Sequence, residues 1–124
     1  MYVCEDGAGI VGFLVLERLM TAAWEIAVMA VRPDRHRRGA GRALVAAAAD
    51  HAAARGATLL TVKTLAPSSP DRAYARTRAF YRAMGFVPLE VFPTLWGRDN
   101  PCLLMALPLV PPHRRRTTSA LSRP

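Results

Sequence analysis

The sequence predicts a mixed α/β fold, a sheet with helices packed on it. Three observations predict it. Short apolar or β-branched runs stand near both ends of the 124-residue chain. Two stretches of helical spacing lie between them, and glycine, proline or aspartate punctuates the boundaries. The expected order is strand, strand, strand, helix, strand, helix, strand, strand. The middle strand–helix–strand unit should be a right-handed crossover onto a parallel neighbour, and the other neighbours are free to pair antiparallel.

Each element has its own signal. "YVCEDGAGIVGFLVLERL" reads as two strands around a turn that starts at Asp6-Gly7, a short one over Tyr2 to Glu5 and a longer one over Ile10 to Arg18. "AWEIAVMAV", Ala23 to Val31, reads as a buried strand stopped by Pro33. From Gly39 the spacing becomes helical, with Leu44, Val45, Ala48 and Ala52 recurring and Gly56 where a C-terminal cap belongs. "TLLTVKTL" is a strand, and "APSSPD" a loop that offers Asp71 as a helix cap. "RAYARTRAFYRAM" is a helix with Ala73, Thr77, Phe80 and Met84 on one stripe, ended by Gly85. "FVPLEVF" and "CLLMALPL" close the order as strands. No internal repeat is visible.

Size and composition bound the function. A chain of 124 residues is one domain, assigned here to residues 1–109, with 110–124 as a flexible basic tail. A hydrophobic fraction of 52% argues against disorder. Charges interrupt every apolar run before it reaches membrane-spanning length. "MYVCEDG" carries acids where a secretion signal carries bases, so a cytoplasmic protein with no membrane partner is expected. Cys4 and Cys102 are too few for a disulfide framework or a zinc cage, and His36, His51 and His113 lack ligand-like grouping, so no metal is expected. The net charge of +8 is almost all arginine, Lys63 being the single lysine. It concentrates in the tail (Arg114, Arg115, Arg116, Arg123) and around Arg32 to Arg42, with Arg72, Arg76 and Arg78 scattered elsewhere. That is not the continuous basic face a nucleic-acid-binding protein presents, so no nucleic-acid partner is expected.

"RPDRHRRGAGRALV" places five arginines and two glycines between a strand and a helix. The first turn of a helix has N–H groups without intrahelical partners and a partial positive charge, and glycines let a phosphate approach the backbone. The stretch lacks the Gly-Lys-Ser/Thr of a phosphate-binding loop of the Walker type, and Leu44 stands where the dinucleotide fingerprint has its third glycine. Taken alone, "GAG" is equally an ordinary helix start with a solvated basic face.

The longer segment "IAVMAVRPDRHRRGAGRALV" resembles the acetyl-CoA-binding motif of the GNAT N-acetyltransferase superfamily. There a buried strand ends in an apolar triplet and Gln/Arg-x-x-Gly-x-Gly/Ala opens the helix. His36 stands where Gln or Arg is usual. The resemblance implies that Met29, Ala30 and Val31 offer a strand edge to the pantetheine arm. It implies that Arg37, Arg38, Gly39, Ala40, Gly41 and Arg42 wrap the pyrophosphate. "ARTRAFYRAMGFVPLE" is similar to the superfamily's second signature, whose tyrosine maps to Tyr81 and acts in many members as the acid beside the departing sulfur. Many members carry a pantetheine-contacting asparagine seven residues earlier; Tyr74 stands there, and that role does not carry over. The implied fold is a mostly antiparallel sheet flanked by helices. The first strand and helices that usually precede the hairpin, and help wall the acceptor site, are expected to be lacking.

Acetylation of an amine needs a base, because a lysine-like amine has a pKa near ~10.4. Glu25 is the main candidate, an acid alone in the apolar "WEIAVMAV" and so suited to proton transfer near neutrality. Some histone-acetylating members carry a base glutamate at the same distance before the first motif glycine. Strand alternation equally allows Glu25 to point outward as a solubilising acid; Glu5, Glu17 and Glu90 are weaker rivals. Proton transfer from a phenol near ~10 to a thiolate near ~8.5 is uphill by roughly 2 kcal/mol, so Tyr81 is expected to help without being indispensable. A backbone N–H near Met29 or Ala30 would polarise the carbonyl. "FPTLWGRDNPC" is an aromatic loop from which Phe92, Trp96, Asp99 and Asn100 could line an acceptor pocket, or simply cover the sheet end. The leading expectation is an acetyl-CoA-dependent N-acetyltransferase of a small-molecule or protein amine. The alternative is a non-catalytic CoA-binding module, and a homodimer stays open.

Overall fold

The computed structural model describes residues 1–7, 9–33, 39–68 and 72–110. The tail expected over 110–124, beyond Val110, therefore lies outside the described residues, as do His36, Arg37, Arg38 and the Asp71 cap. Six strands and two helices follow in the expected order: β1 (Tyr2–Asp6), β2 (Gly9–Arg18), β3 (Ala23–Val31), α1 (Ala40–Ala54), β4 (Leu59–Leu65), α2 (Arg72–Ala83), β5 (Val87–Phe92) and β6 (Cys102–Pro108). The sheet order is β1-β2-β3-β4-β6-β5, and the β1–β2, β2–β3 and β5–β6 pairs are antiparallel. No helix among the described residues is long and apolar enough to cross a membrane.

The chain divides into two compact units, Met1–Leu60 with the chain from Pro108, and Thr61–Leu107. In the first, β1, β2 and β3 form a meander and α1 packs on it. Alanine is the best helix former, and α1 is mostly alanine. It buries Leu44, Val45, Ala48 and Ala52, the stripe expected from spacing, and with them Ala40 and Ala53. Small side chains let the helix lie close to the strands. Gly12 completes the fit: a Cβ there would sit 3.0 Å from the Ala30 carbonyl oxygen, 3.2 Å from Val31 Cγ2 and 3.3 Å from Leu44 Cδ1. The helix ends at Arg55, followed by Gly56 at φ 92°, a left-handed conformation that glycine takes without strain.

β3 is irregular in a way spacing does not reveal. Val15 pairs with Val28 but Leu16 pairs with Ile26, which leaves Ala27 as the extra residue of a bulge. Directly opposed residues share a face of the sheet. Gly12, Leu14, Leu16 and Arg18 thus share a face with Val31, Met29, Ile26 and Trp24. Glu25 lies on the other face with Val28 and Ala30. Strict alternation from Val31 and Met29 would have put it under α1.

In the second unit α2 buries two side chains, Arg78 and Tyr81. The expected stripe needs correction, because Ala73 is exposed, whereas Thr77, Phe80 and Met84 are half-buried beside the true centre of the face. Met84 and Gly85 close the helix with bonds to Phe80, Tyr81 and Arg82 carbonyls, and Phe86 N–H returns to Tyr81 O at 3.0 Å. Phe86, Met105 and Cys102 are among the most deeply buried side chains of the chain.

Candidate functional site

The first unit holds the expected cofactor turn. β3 delivers Met29, Ala30 and Val31 in pairing with β2, and Arg32 N–H continues the ladder to Val11 O at 2.7 Å. Met29 and Val31 are half-buried and Ala30 is exposed. Gly39 is the N-cap of α1 at φ 84°, ψ −1°, a left-handed conformation that costs an L-residue roughly 1–2 kcal/mol. Ala43 N–H makes the first helical bond, to Gly39 O at 2.9 Å, so the N–H groups of Ala40, Gly41 and Arg42 precede the helical ladder. No side chain caps this end and the first turn carries no acid. Among the described residues, its chain neighbours aside, a Cβ built at Gly39 meets no atom within 4 Å. Ala40 is buried, Gly41 half-buried and Arg42 exposed, which places an arginine head in solvent beside the turn. This donor set suits an anion such as a pyrophosphate, and it would hold that group through backbone N–H groups with Arg42 adding charge.

Glu25 is 8% exposed and stands directly opposite Glu17, which is exposed. Because opposed residues share a face, two carboxylates lie side by side on the sheet face that α1 does not cover. The partnership of Glu17 with Glu25 depends on the bulge at Ala27, for which residue spacing offers no signal. Glu5 and Glu90 are exposed on other strands.

A cluster that spacing also missed holds the other end of α1. The His51 ring meets Tyr2 edge-on at 5.6 Å and Trp24 at 5.5 Å between centroids. Burial holds the His51 imidazole below its usual pKa, and the charges of Arg55 and the chain N-terminus act the same way.

The second unit holds Tyr81 and the acceptor-loop candidates. Tyr81 is 4% exposed, with ring contacts to Phe80 at 5.3 Å and Phe86 at 5.2 Å. Burial pushes its phenol up to about 12. Tyr74, two turns earlier, is exposed, so the two tyrosines do not share an environment. Arg78, one of the scattered arginines of the sequence, is buried, its Nη1 donating to Leu65 O at 2.6 Å and to Ala66 O at 3.3 Å. Phe92 is half-buried at the end of β5, while Trp96, Asp99 and Asn100 are exposed. The loop folds on itself through Gly97 N–H to Thr94 O (3.1 Å), Asn100 N–H to Gly97 O (3.2 Å) and Asn100 Nδ2 to Trp96 O (3.4 Å). No group of histidine, cysteine and acidic side chains able to hold a metal ion occurs among the described residues.

A six-stranded sheet with two helices, in which a strand precedes a glycine-capped, acid-free helix start, defines a mixed α/β protein. Residues 1–88 match the acetyltransferase (GNAT) domain family, and the chain belongs to that family. Among solved structures it is similar to Ard1 from Thermoplasma volcanium, with 21% identity, a TM-score of 0.74, and coverage of 87% of this chain and 69% of that one. It is similar to the ribosomal-protein-S18-alanine N-acetyltransferase from Escherichia coli, with 26% identity, a TM-score of 0.65, and coverage of 84% and 64%. It is also similar to yncA from Salmonella typhimurium, solved with its cofactor acetyl-CoA, with 20% identity, a TM-score of 0.70, and coverage of 87% and 63%. No curated protein matches the sequence.

Proposed function

We propose that this chain is an acetyl-CoA-dependent N-acetyltransferase that acylates a primary amine of a small molecule or protein in the cytoplasm, with residues 1–109 as its domain. The observation that carries the reading is the α1 start: Gly39 in a left-handed conformation, no described atom beyond its chain neighbours within 4 Å of a Cβ there, and a first turn with neither acid nor side-chain cap. Similarity to a structure holding acetyl-CoA supports the cofactor. Thiols rather than a disulfide at Cys4 and Cys102 suit a reducing compartment.

Acetyl-CoA supplies the activated acyl group; the chain's residues bind it and move protons. The backbone of Gly39 to Arg42, with Arg37, Arg38 and Arg42, holds the pyrophosphate. The backbone of Met29 to Val31 takes the pantetheine, and a backbone N–H near Met29 or Ala30 polarises the carbonyl oxygen. Glu25 takes a proton from the acceptor ammonium while Glu17 adds attraction for a cation. The neutral amine nitrogen then forms its bond to the acyl carbon as the carbon–sulfur bond breaks; the second proton it sheds on becoming an amide ends on the thiolate, so CoA leaves as the thiol, and Glu25 releases the first proton to solvent. Tyr81 hydrogen-bonds the departing thiolate. Phe92, Trp96, Asp99 and Asn100 border the acceptor, with Asp99 favouring a positively charged one.

The test measures thiol release from acetyl-CoA with spermidine, an aminoglycoside and an alanine-initiated peptide as acceptors. Turnover with at least one amine is expected. Glu25→Gln should lower it about 10²-fold near neutrality and progressively less toward pH 10, where the amine loses its proton unaided. An equal loss at every pH would remove Glu25 from the base role. CoA binding without turnover of any amine would leave a CoA-binding module in place of an enzyme.

A further inference from the structure

Arg78 is a charged side chain in the second unit that the proposed chemistry does not use. It is 9% exposed and is one of the two side chains that α2 buries, the other being Tyr81 one turn further on. A position that needed only to fill space would be served by an aliphatic residue, because burying a guanidinium is costly unless it is hydrogen-bonded. Here the bonds are specific. One nitrogen reaches two successive carbonyls, Leu65 O at 2.6 Å and Ala66 O at 3.3 Å. Successive carbonyls of an extended strand point to opposite sides. A single donor meets both only where the backbone turns out of the strand, and β4 ends at Leu65.

The same peptide has a second tie. Ala66 N–H donates to Pro101 O at 2.8 Å, and Pro101 closes the loop that carries Trp96, Asp99 and Asn100. The contacts run in series: α2 holds Arg78, Arg78 holds the β4 exit, and the exit holds the root of the loop.

We infer that Arg78 is a positioning residue that sets the acceptor loop, and through it the recognition of the acceptor amine. The inference rests on the acetyltransferase reading for the identity of the loop's ligand. It does not rest on that reading for the bridge itself. A lysine at 78 keeps a cationic donor but not the planar guanidinium, whereas methionine keeps the bulk and leaves both carbonyls without it.

The test compares Arg78→Met and Arg78→Lys by three measurements. For Arg78→Met the amine KM should rise about tenfold, with kcat within about threefold and CoA affinity by calorimetry within about twofold. Amide exchange at Ala66 should quicken about tenfold or more while amides of β1 to β3 keep their rates. Arg78→Lys should fall between Arg78→Met and the unsubstituted protein on both readouts. A loss of CoA affinity equal to the loss in amine recognition overturns the inference. So does quickened exchange throughout the chain, which marks general destabilisation. If Arg78→Met does not fold, Arg78→Lys decides by the same measurements. If the unsubstituted protein acetylates no amine, the acetyltransferase reading fails separately, and unchanged exchange at Ala66 then overturns the bridge as well.

Discussion

The two helices of this protein are held by opposite means. α1 is buried along six small or aliphatic side chains, and its close approach to the strands needs a glycine at position 12. α2 buries only an arginine and a tyrosine, fixed by hydrogen bonds to a strand end and by rings. The difference follows from what each helix presents. In the proposed function α1 offers its backbone N-terminus to a phosphate, which fits a packing of small side chains and a first turn free of acids. In the same proposal α2 contributes the Tyr81 side chain, which fits packing that fixes a rotamer rather than a helix end. A cofactor turn made of backbone is damaged by adding atoms, and a site made of side chains is damaged by removing them.

The largest expected effect tests the first half of that contrast. Replacing Gly39 and Gly41 by valine adds bulk beside the first-turn N–H groups and forces an L-residue into φ 84° at position 39. CoA affinity measured by calorimetry should fall by about 100-fold or more. Gly39→Asn alone should lose much less, because asparagine tolerates the left-handed region. Unchanged affinity in the double variant would remove the phosphate from this turn.

A smaller effect tests the second half. With its pKa near 12, the Tyr81 phenol faces a transfer to a thiolate near ~8.5 that is uphill by roughly 5 kcal/mol, more than an ordinary tyrosine would. Full proton transfer is disfavoured, and a hydrogen bond to the leaving sulfur is the more economical role. Tyr81→Phe should therefore lower kcat about tenfold while leaving CoA affinity nearly constant and stability little changed. If Tyr81→Phe keeps full activity and Tyr74→Phe loses it, the exposed tyrosine is the donor and burial on α2 has no catalytic meaning.

Periodicity made the elements legible almost to the residue, because each depends on its own neighbours. Ala23 to Val31 is the strand that spacing predicts, and Leu44, Val45, Ala48 and Ala52 face inward as expected. Pairing made other features illegible. The bulge at Ala27 exists only in the register of β3 against β2, yet it decides which face Glu25 occupies and sets Glu17 opposite it. Gly12 reads as one residue of an apolar strand until Leu44, thirty-two positions away, is brought against it. Arg78 looks like any helix-surface arginine because its two acceptors lie on β4 and just beyond it. The glycine-capped start of α1 was legible because its glycines and its strand–helix order are local. The ties of the Phe92–Cys102 loop were not, because they depend on how separate segments are held together.

The smallest effect concerns the far end of α1, where the packing of small residues gives way to rings. A cation is ordinarily favoured in the last turn of a helix. At His51 the burial against Tyr2 and Trp24 outweighs that preference, joined by the charges of Arg55 and the N-terminus, and the folded-state pKa lies below 6.5. The unfolded chain therefore takes up a proton at a higher pH than the folded one. Above 6.5 the imidazole is neutral in both states and costs nothing. As pH falls through 6.5 toward the lower folded value, the unfolded state binds more proton and stability declines. Below the folded value both states are protonated and the loss is complete. Denaturant midpoints measured from pH 8 down to pH 5 should show this decline, and His51→Gln should remove its share. Because the ring contacts go with the imidazole, the variant should also start from a slightly lower midpoint at pH 8. A His51→Gln curve parallel to that of the unsubstituted protein between pH 7 and 5 would mean that folding leaves the proton affinity of the imidazole unchanged, and a steeper decline in the variant would mean that the helix end outweighs the burial.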